Sequence, residues 1–190
     1  MNRLLVALAL AAPMLGMACA PAHAALAPGA AAPDFKLPAA LDGKDYSFDL
    51  AAALKKGPVV VYFYPKAFTG GCSAEAHEFA ENMPKFKAMG ASVIGISHDD
   101  IATLKKFSVE KCQSAFPVAA DTDGKVIKAY DAKIAAPMGL MLGSTDASNR
   151  TSYVVAPDGK VIYTYSDLGA SKHVVNTLDA LKTWRETHKG

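Results

Sequence analysis

The sequence has few cysteines, little net charge and no apolar run of the length that a membrane span needs. Three of the 190 residues are cysteine, and 20 basic residues against 18 acidic ones give a formal net charge of +2. A chain this close to neutral lacks the strongly charged surface that binds nucleic acid or a membrane, so we expect neither as a partner. The histidines show no paired spacing typical of metal ligands, so we expect no metal and predict solvated or capping roles for His23, His77, His98, His173 and His188.

The amino terminus has the pattern of an export signal. Asn2 and Arg3 give a short positive start, residues 4–15 are an apolar run, and Ala22-His23-Ala24 is a cleavage site of the small-x-small type. We therefore predict that residues 1–24 are a signal peptide, that residues 25–190 form one domain, and that the protein is exported to the periplasm. Lipidation of Cys19 is the alternative, although Gly16 stands where leucine is usual.

The segment 59–89 is the centre of the predicted fold. Residues 59–64 are an apolar run rich in β-branched and aromatic side chains, which predicts a buried strand. Residues 73–89 have apolar side chains at helical spacing, and Gly90 follows as a typical helix end. Cys72 therefore lies at the first turn of a helix, where unpaired N–H groups favour the thiolate. A buried, inert cysteine is the alternative.

The other elements alternate between strands and helices along the chain. Residues 34–37 read as an edge strand that forms a hairpin with 46–48 across an Asp-Gly turn, and residues 131–149 as an irregular loop. This order predicts an α/β fold, a thioredoxin-like α/β/α sandwich with a mixed central sheet and an N-terminal β-hairpin. Further strands are expected at 91–97, 116–120, 151–156 and 160–165, and further helices at 49–56, from Asp99 or Asp100, at 126–130 and from Ser171.

The loop between the strand and the helix carries the pattern Pro65-x-x-x-Thr69-x-x-Cys72. This pattern resembles the active-site loop of the peroxiredoxin family, and the surrounding YFYPKAFTGGCSAEA looks most like its bacterioferritin-comigratory, or peroxiredoxin Q, branch. The resemblance runs from about residue 30 to 182. It implies that Cys72 is the peroxidatic cysteine, that Thr69 places a hydroxyl beside it, that Pro65 shields the loop and that Glu75 is the acidic residue one turn on.

A second segment, RTSYVVAPDGK, resembles the strand that completes the peroxiredoxin site. The resemblance assigns Arg150 as the cation beside the thiolate, and a surface arginine at a strand end is the alternative. Many members of this branch carry a second cysteine five residues after the first, but His77 stands there in this chain. Cys112 is then the possible resolving cysteine. The alternatives are an inert Cys112 with an external thiol as reductant, or a structural disulfide between Cys72 and Cys112.

The resemblance implies an enzyme, a thiol-dependent peroxidase that reduces hydrogen peroxide and small organic hydroperoxides through a cysteine sulfenic acid. A thioredoxin-like protein or a small thiol would supply the electrons, no metal, haem or flavin is needed, and a monomer is expected. An exported thioredoxin-like disulfide oxidoreductase is an alternative, but it needs a Cys-x-x-Cys pair and Glu75 stands at the second cysteine position. A peroxide-sensing domain is the other alternative.

Overall fold

The computed structural model describes residues 25–188. A single mixed β-sheet lies at its centre. The predicted signal peptide, with Cys19 and His23, lies outside the described residues. The sheet has seven strands, with the bounds Lys36–Leu41 (β1), Lys44–Asp49 (β2), Val59–Phe63 (β3), Ser92–Ser97 (β4), Val118–Ala120 (β5), Thr151–Val155 (β6) and Val161–Ser166 (β7). Their order across the sheet is β2-β1-β5-β4-β3-β6-β7.

Helices cover both faces of the sheet. Strand β3 runs parallel to β4 and antiparallel to β6, so the sheet is mixed as predicted. The helices are Leu50–Leu54 (α1), Gly70–Ala88 (α2), Ile101–Glu110 (α3), Lys125–Ala129 (α4), Ala136–Met141 (α5) and His173–Thr187 (α6), with a 3₁₀ turn at Ala170–Lys172. Side chains of β3 alternate between two buried clusters. One cluster packs under α2, α3 and α6, and the other packs under α1 and α4.

Two elements differ from the sequence-based expectation. The strand expected at the sheet edge is internal, because β1 pairs with β2 on one side and with β5 on the other, and β2 is the edge. The expected irregular loop 131–149 contains the short helix α5. Pro137 is the second residue of α5, where its missing N–H breaks no helical bond. Within residues 25–188, none of the helices combines the length and the apolarity that crossing a bilayer requires.

Candidate active site

Cys72 is the third residue of α2, at the carboxyl end of β3. The helix begins at Gly70, three residues before the predicted start, with Thr69 at its N-cap position. The N–H groups of the first helical turn have no partner within the helix, so this end of α2 carries a positive partial charge. The Cys72 side chain is 2% exposed. The sulfur is therefore held in a nearly dry environment beside positive backbone groups.

Strand pairing brings Arg150 to this sulfur. Thr151 pairs with Phe63 in the antiparallel β3–β6 ladder, so Arg150 lies beside the end of β3 where the loop to α2 begins. Its Nη2 atom donates to Cys72 Sγ at 3.4 Å, its Nη1 atom bonds Glu75 Oε2, and its Nε atom donates to the carbonyl of Leu168 at 2.8 Å. One buried guanidinium thus bonds the Cys72 sulfur, the Glu75 carboxyl group and a backbone carbonyl. The interpretation of Arg150 as a surface arginine is wrong.

Gly71 leaves the space that Arg150 occupies. A Cβ atom added to Gly71 would lie 3.1 Å from Arg150 Nη2, whereas one added to Gly70 would meet nothing within 4 Å. An alanine at position 71 would therefore require the guanidinium to move by a few tenths of an ångström from the first turn of α2.

Glu75 lies one turn after Cys72 and is fully buried. Burial raises the pKa of Glu75 to about 8, although the charge and hydrogen bond of Arg150 act in the opposite direction. Its Oε2 atom bonds Arg150, and its Oε1 atom has no hydrogen-bond partner among the residues that the structure describes. Burial therefore favours the neutral carboxyl group, and the contact with Arg150 favours the ionised one.

His173 lies behind Glu75 and was missed by the sequence analysis. A solvated or capping role was expected, but the imidazole is fully buried and lies with Nδ1 3.7 Å from Glu75 Oε1. Burial lowers the pKa of His173 to about 4. A signal was present in the sequence, because His173, Thr177 and Leu181 recur every four residues on the buried face of α6.

The loop before Cys72 is fixed by backbone and side-chain hydrogen bonds. Asp99 Oδ2 accepts from the Ala67 N–H at 2.7 Å and from the Ser97 hydroxyl at 2.8 Å. Thr69 Oγ1 donates to the carbonyl of Lys66 at 2.9 Å, so in this structure its hydroxyl proton is directed at the loop and not at the sulfur. Pro65 is buried at the start of the loop. The sequence offered Asp99 or Asp100 as the cap of α3; Asp100 is that cap, and Asp99 anchors the loop.

Cys112 lies two residues after the end of α3 and is completely buried. It belongs to the same core cluster as Cys72, and burial raises the pKa of its thiol. Both cysteines of the described residues are free thiols, so the structure does not contain the disulfide that was one interpretation of the pair. Cys112 in this conformation is a buried thiol and a poor nucleophile, and it is not bonded to Cys72.

The comparisons with known proteins agree with this geometry. The model of the AhpC/TSA family matches residues 28–164. Peroxiredoxin Q of the chloroplast of Oryza sativa subsp. japonica is 38% identical over 156 residues, which are 82% of this chain and 66% of that protein, just under two thirds of its length. Peroxiredoxin Bcp of Escherichia coli is 32% identical over 130 residues, 68% of this chain and 79% of that protein.

A solved structure shows the same fold. The crystal structure of the peroxidoxin BcpB from Mycobacterium tuberculosis superposes with a TM-score of 0.72 at 30% identity, and the match covers 82% of this chain and 96% of that one. The predicted thioredoxin-like architecture with its mixed sheet is thereby confirmed.

Proposed function

Because this chain belongs to the AhpC/TSA family, we propose that it reduces hydroperoxides with Cys72 as the attacking thiolate and Arg150 as the cation that stabilises it. Relatives named peroxiredoxin Q and Bcp support a thiol-dependent peroxidase function. They do not favour a disulfide oxidoreductase or a silent sensing domain. The observation that carries the proposal is the 3.4 Å contact between Arg150 Nη2 and Cys72 Sγ in a buried site.

The proposed reaction oxidises one sulfur by two electrons. The Cys72 thiolate attacks one peroxide oxygen, the S–O bond forms as the O–O bond breaks, and the other oxygen leaves with the bonding pair as alkoxide or hydroxide. A proton from solvent neutralises this leaving group, and Cys72 is left as a sulfenic acid. Arg150 stabilises the thiolate before attack and the charge that develops on the leaving oxygen. Removing one such donor from an enzyme site lowers the rate by about 10²–10³.

The remaining site residues hold this arrangement. Pro65 shields the start of the loop, and Thr69, at the N-cap position of α2, holds the loop through its bond to the Lys66 carbonyl. Glu75 holds the second nitrogen of the Arg150 fork, so that Nη2 stays directed at sulfur. Because Cys72 is nearly inaccessible, the substrates are hydrogen peroxide and small organic hydroperoxides.

Trapping the sulfenic acid tests the site assignment. In the Cys112→Ser variant, one equivalent of hydrogen peroxide followed by dimedone should label Cys72 stoichiometrically, as read by peptide mass spectrometry. Cys72 that stays unmodified while peroxide is consumed would contradict the assignment.

We also propose that Cys112 resolves the sulfenic acid after a local opening of both segments. The two residues after Cys112 are held in left-handed backbone conformations, Gln113 at φ 51° and Ser114 at φ 55°. Side-chain bonds of 2.8 Å tie Gln113 to His77 and Ser114 to Asp42. Left-handed backbone disfavours a non-glycine residue by about 1–2 kcal/mol, so release of this strain offsets part of the free energy of opening.

Mass spectrometry of the peroxide-treated protein decides between the two routes of resolution. A Cys72–Cys112 disulfide is expected, which a thioredoxin-like protein or a small thiol then reduces. Accumulation of sulfenic or sulfinic Cys72 without that disulfide would show that an external thiol reacts directly with Cys72.

The pattern of residues 1–24 supports a further proposal, that the protein is exported to the periplasm and acts there as a monomer. N-terminal sequencing of protein from a periplasmic fraction should begin at Ala25, and light scattering on a sizing column should give the mass of one chain. A lipid on Cys19, or retention of residues 1–24 in the cytoplasm, would contradict the first part. A dimer would contradict the second.

A further inference from the structure

The buried imidazole of His173 takes no direct part in the proposed reaction. Its Nε2 atom lies 2.9 Å from the carbonyl oxygen of Asp167, which can only accept, so Nε2 carries a hydrogen. Its Nδ1 atom lies 2.8 Å from the hydroxyl of Ser152 and 3.7 Å from Glu75 Oε1. In the neutral ring Nδ1 then accepts from the Ser152 hydroxyl, and the ring lies beside the carboxyl oxygen of Glu75 that Arg150 does not bond.

The same imidazole is hydrogen-bonded to the backbone of residues 167–168, which also binds Arg150. The carbonyl of Asp167 accepts from His173, and the next carbonyl, that of Leu168, accepts from Arg150 Nε at 2.8 Å. The Asp167 N–H also donates to the Arg150 carbonyl at 3.2 Å. Loss of His173 would therefore remove the bond to the Asp167 carbonyl and the packing beside Glu75. The Arg150 guanidinium, which bonds Leu168 and Glu75, would then be held less firmly on both sides.

We propose that His173 is a positioning residue for the peroxidase reaction: it bonds the 167–168 segment and packs beside the Glu75 carboxyl group, so that Arg150 stays directed at Cys72. The proposal rests on the proposed function of Cys72 and Arg150. His173 acts through these groups and does not touch the peroxide.

The position of a proton follows from this arrangement. A neutral His173 gives an ionised Glu75 no counter-charge, and burial raises the pKa of Glu75 to about 8 while it lowers that of His173 to about 4. Burial thus favours a neutral Glu75 beside a neutral His173. The charge of Arg150 is then not shared with a carboxylate and is available to the thiolate of Cys72.

Other charged and titratable groups face the pair from each neighbouring element. On the Glu75 side, Glu78 on the same helix raises the pKa of Glu75, and the phenol of Tyr62 on β3 is within electrostatic range. On the His173 side, Arg150 lowers the pKa of His173 and Asp167 raises it, and the ring of Tyr165 on β7 packs edge-on at 4.8 Å. Burial, the largest cause for both members, sets the directions.

The pH profile of peroxide reduction tests the proposal. The second-order rate of the full-length, reduced protein with hydrogen peroxide, measured by stopped flow from about pH 5 to 10, should fall on the alkaline side with a midpoint near 8. In His173→Asn the side-chain amide can donate to Glu75 and stabilise its carboxylate. The midpoint should then move down by about one unit, to near pH 7, and this shift should lower the rate at pH 7 about twofold.

His188→Asn is the matched control, because His188 is an exposed residue at the other end of the same helix. It should keep the wild-type profile. A His173→Asn midpoint within about 0.3 unit of wild type would overturn the positioning role, even if the variant were less stable.

A second measurement needs neither His173→Asn nor peroxide. NMR of protein labelled with ¹³C at glutamate carboxyl carbons should show one signal that titrates near pH 8 and that is missing from Glu75→Gln. Absence of such a signal overturns the inference about His173. Absence of peroxide turnover in wild type, by contrast, overturns the proposed function and leaves this titration as an independent result.

Discussion

Replacement of Arg150 by lysine separates the charge of this side chain from its shape. Arg150 uses three nitrogens in three directions, toward Cys72, toward Glu75 and toward the Leu168 carbonyl. Lysine keeps the positive charge but has a single nitrogen on a flexible stem, which cannot reach all three partners. Arg150→Lys should therefore fold but hold its charge less well against the sulfur.

The expected loss follows from the bond that points at the reacting sulfur. A hydrogen bond to a charged group contributes about 1.5–3 kcal/mol, and each 1.36 kcal/mol in a barrier changes a rate tenfold. Arg150→Lys should therefore lower the second-order rate with hydrogen peroxide by about 10–150-fold. Arg150→Met, which also removes the charge, should lower it by about 10³-fold, the upper end for loss of one stabilising donor.

The assay is stopped-flow oxidation of the reduced protein at several peroxide concentrations, with thermal unfolding to verify that each variant is folded. Arg185→Lys is the matched control, because Arg185 is an exposed arginine whose Nη1 bonds the Ala88 carbonyl at the far end of α2. Its rate should equal that of wild type. An Arg150→Lys rate within threefold of wild type would refute the argument that the fork geometry matters.

Two further paired substitutions test the surroundings of the site. Gly71→Ala places a Cβ 3.1 Å from Arg150 Nη2 and should lower the peroxide rate about 3–10-fold. Gly70→Ala meets open space and should keep the wild-type rate. Equal rates for the two variants would contradict the close approach of Arg150 to Gly71. Asp99→Ala removes the acceptor of the Ala67 N–H and should lower both the rate and the melting temperature, whereas Asp100→Ala, which removes the α3 cap, should lower the melting temperature only.

Local patterns predicted the strand, the loop and the helix around Cys72 because each is determined by neighbours in the chain. The run of β3 is buried on both faces, and the apolar stripe of α2 faces the sheet, so composition and period were sufficient. The start of α2 was placed three residues late because Gly70 and Gly71 have low helix propensity. Gly71 is nevertheless useful at that position, because it makes room for Arg150.

Residues that join the site from far along the chain were harder to find. Arg150 came only from the family resemblance, because its place depends on the β3–β6 register, which pairs residues 63 and 151. His173 and Asp99 were missed for the same reason. Each is polar and unremarkable in its own segment, and its role arises only when β6, α6 and the loop after β4 meet at the carboxyl end of β3.

The most direct test of the central claim is peroxide turnover with dithiothreitol as the reductant, in wild type and in Cys72→Ser. If the ionised sulfur of Cys72 carries the reaction, wild type should consume hydrogen peroxide rapidly and Cys72→Ser should not exceed the uncatalysed rate. Robust turnover by Cys72→Ser would contradict the account.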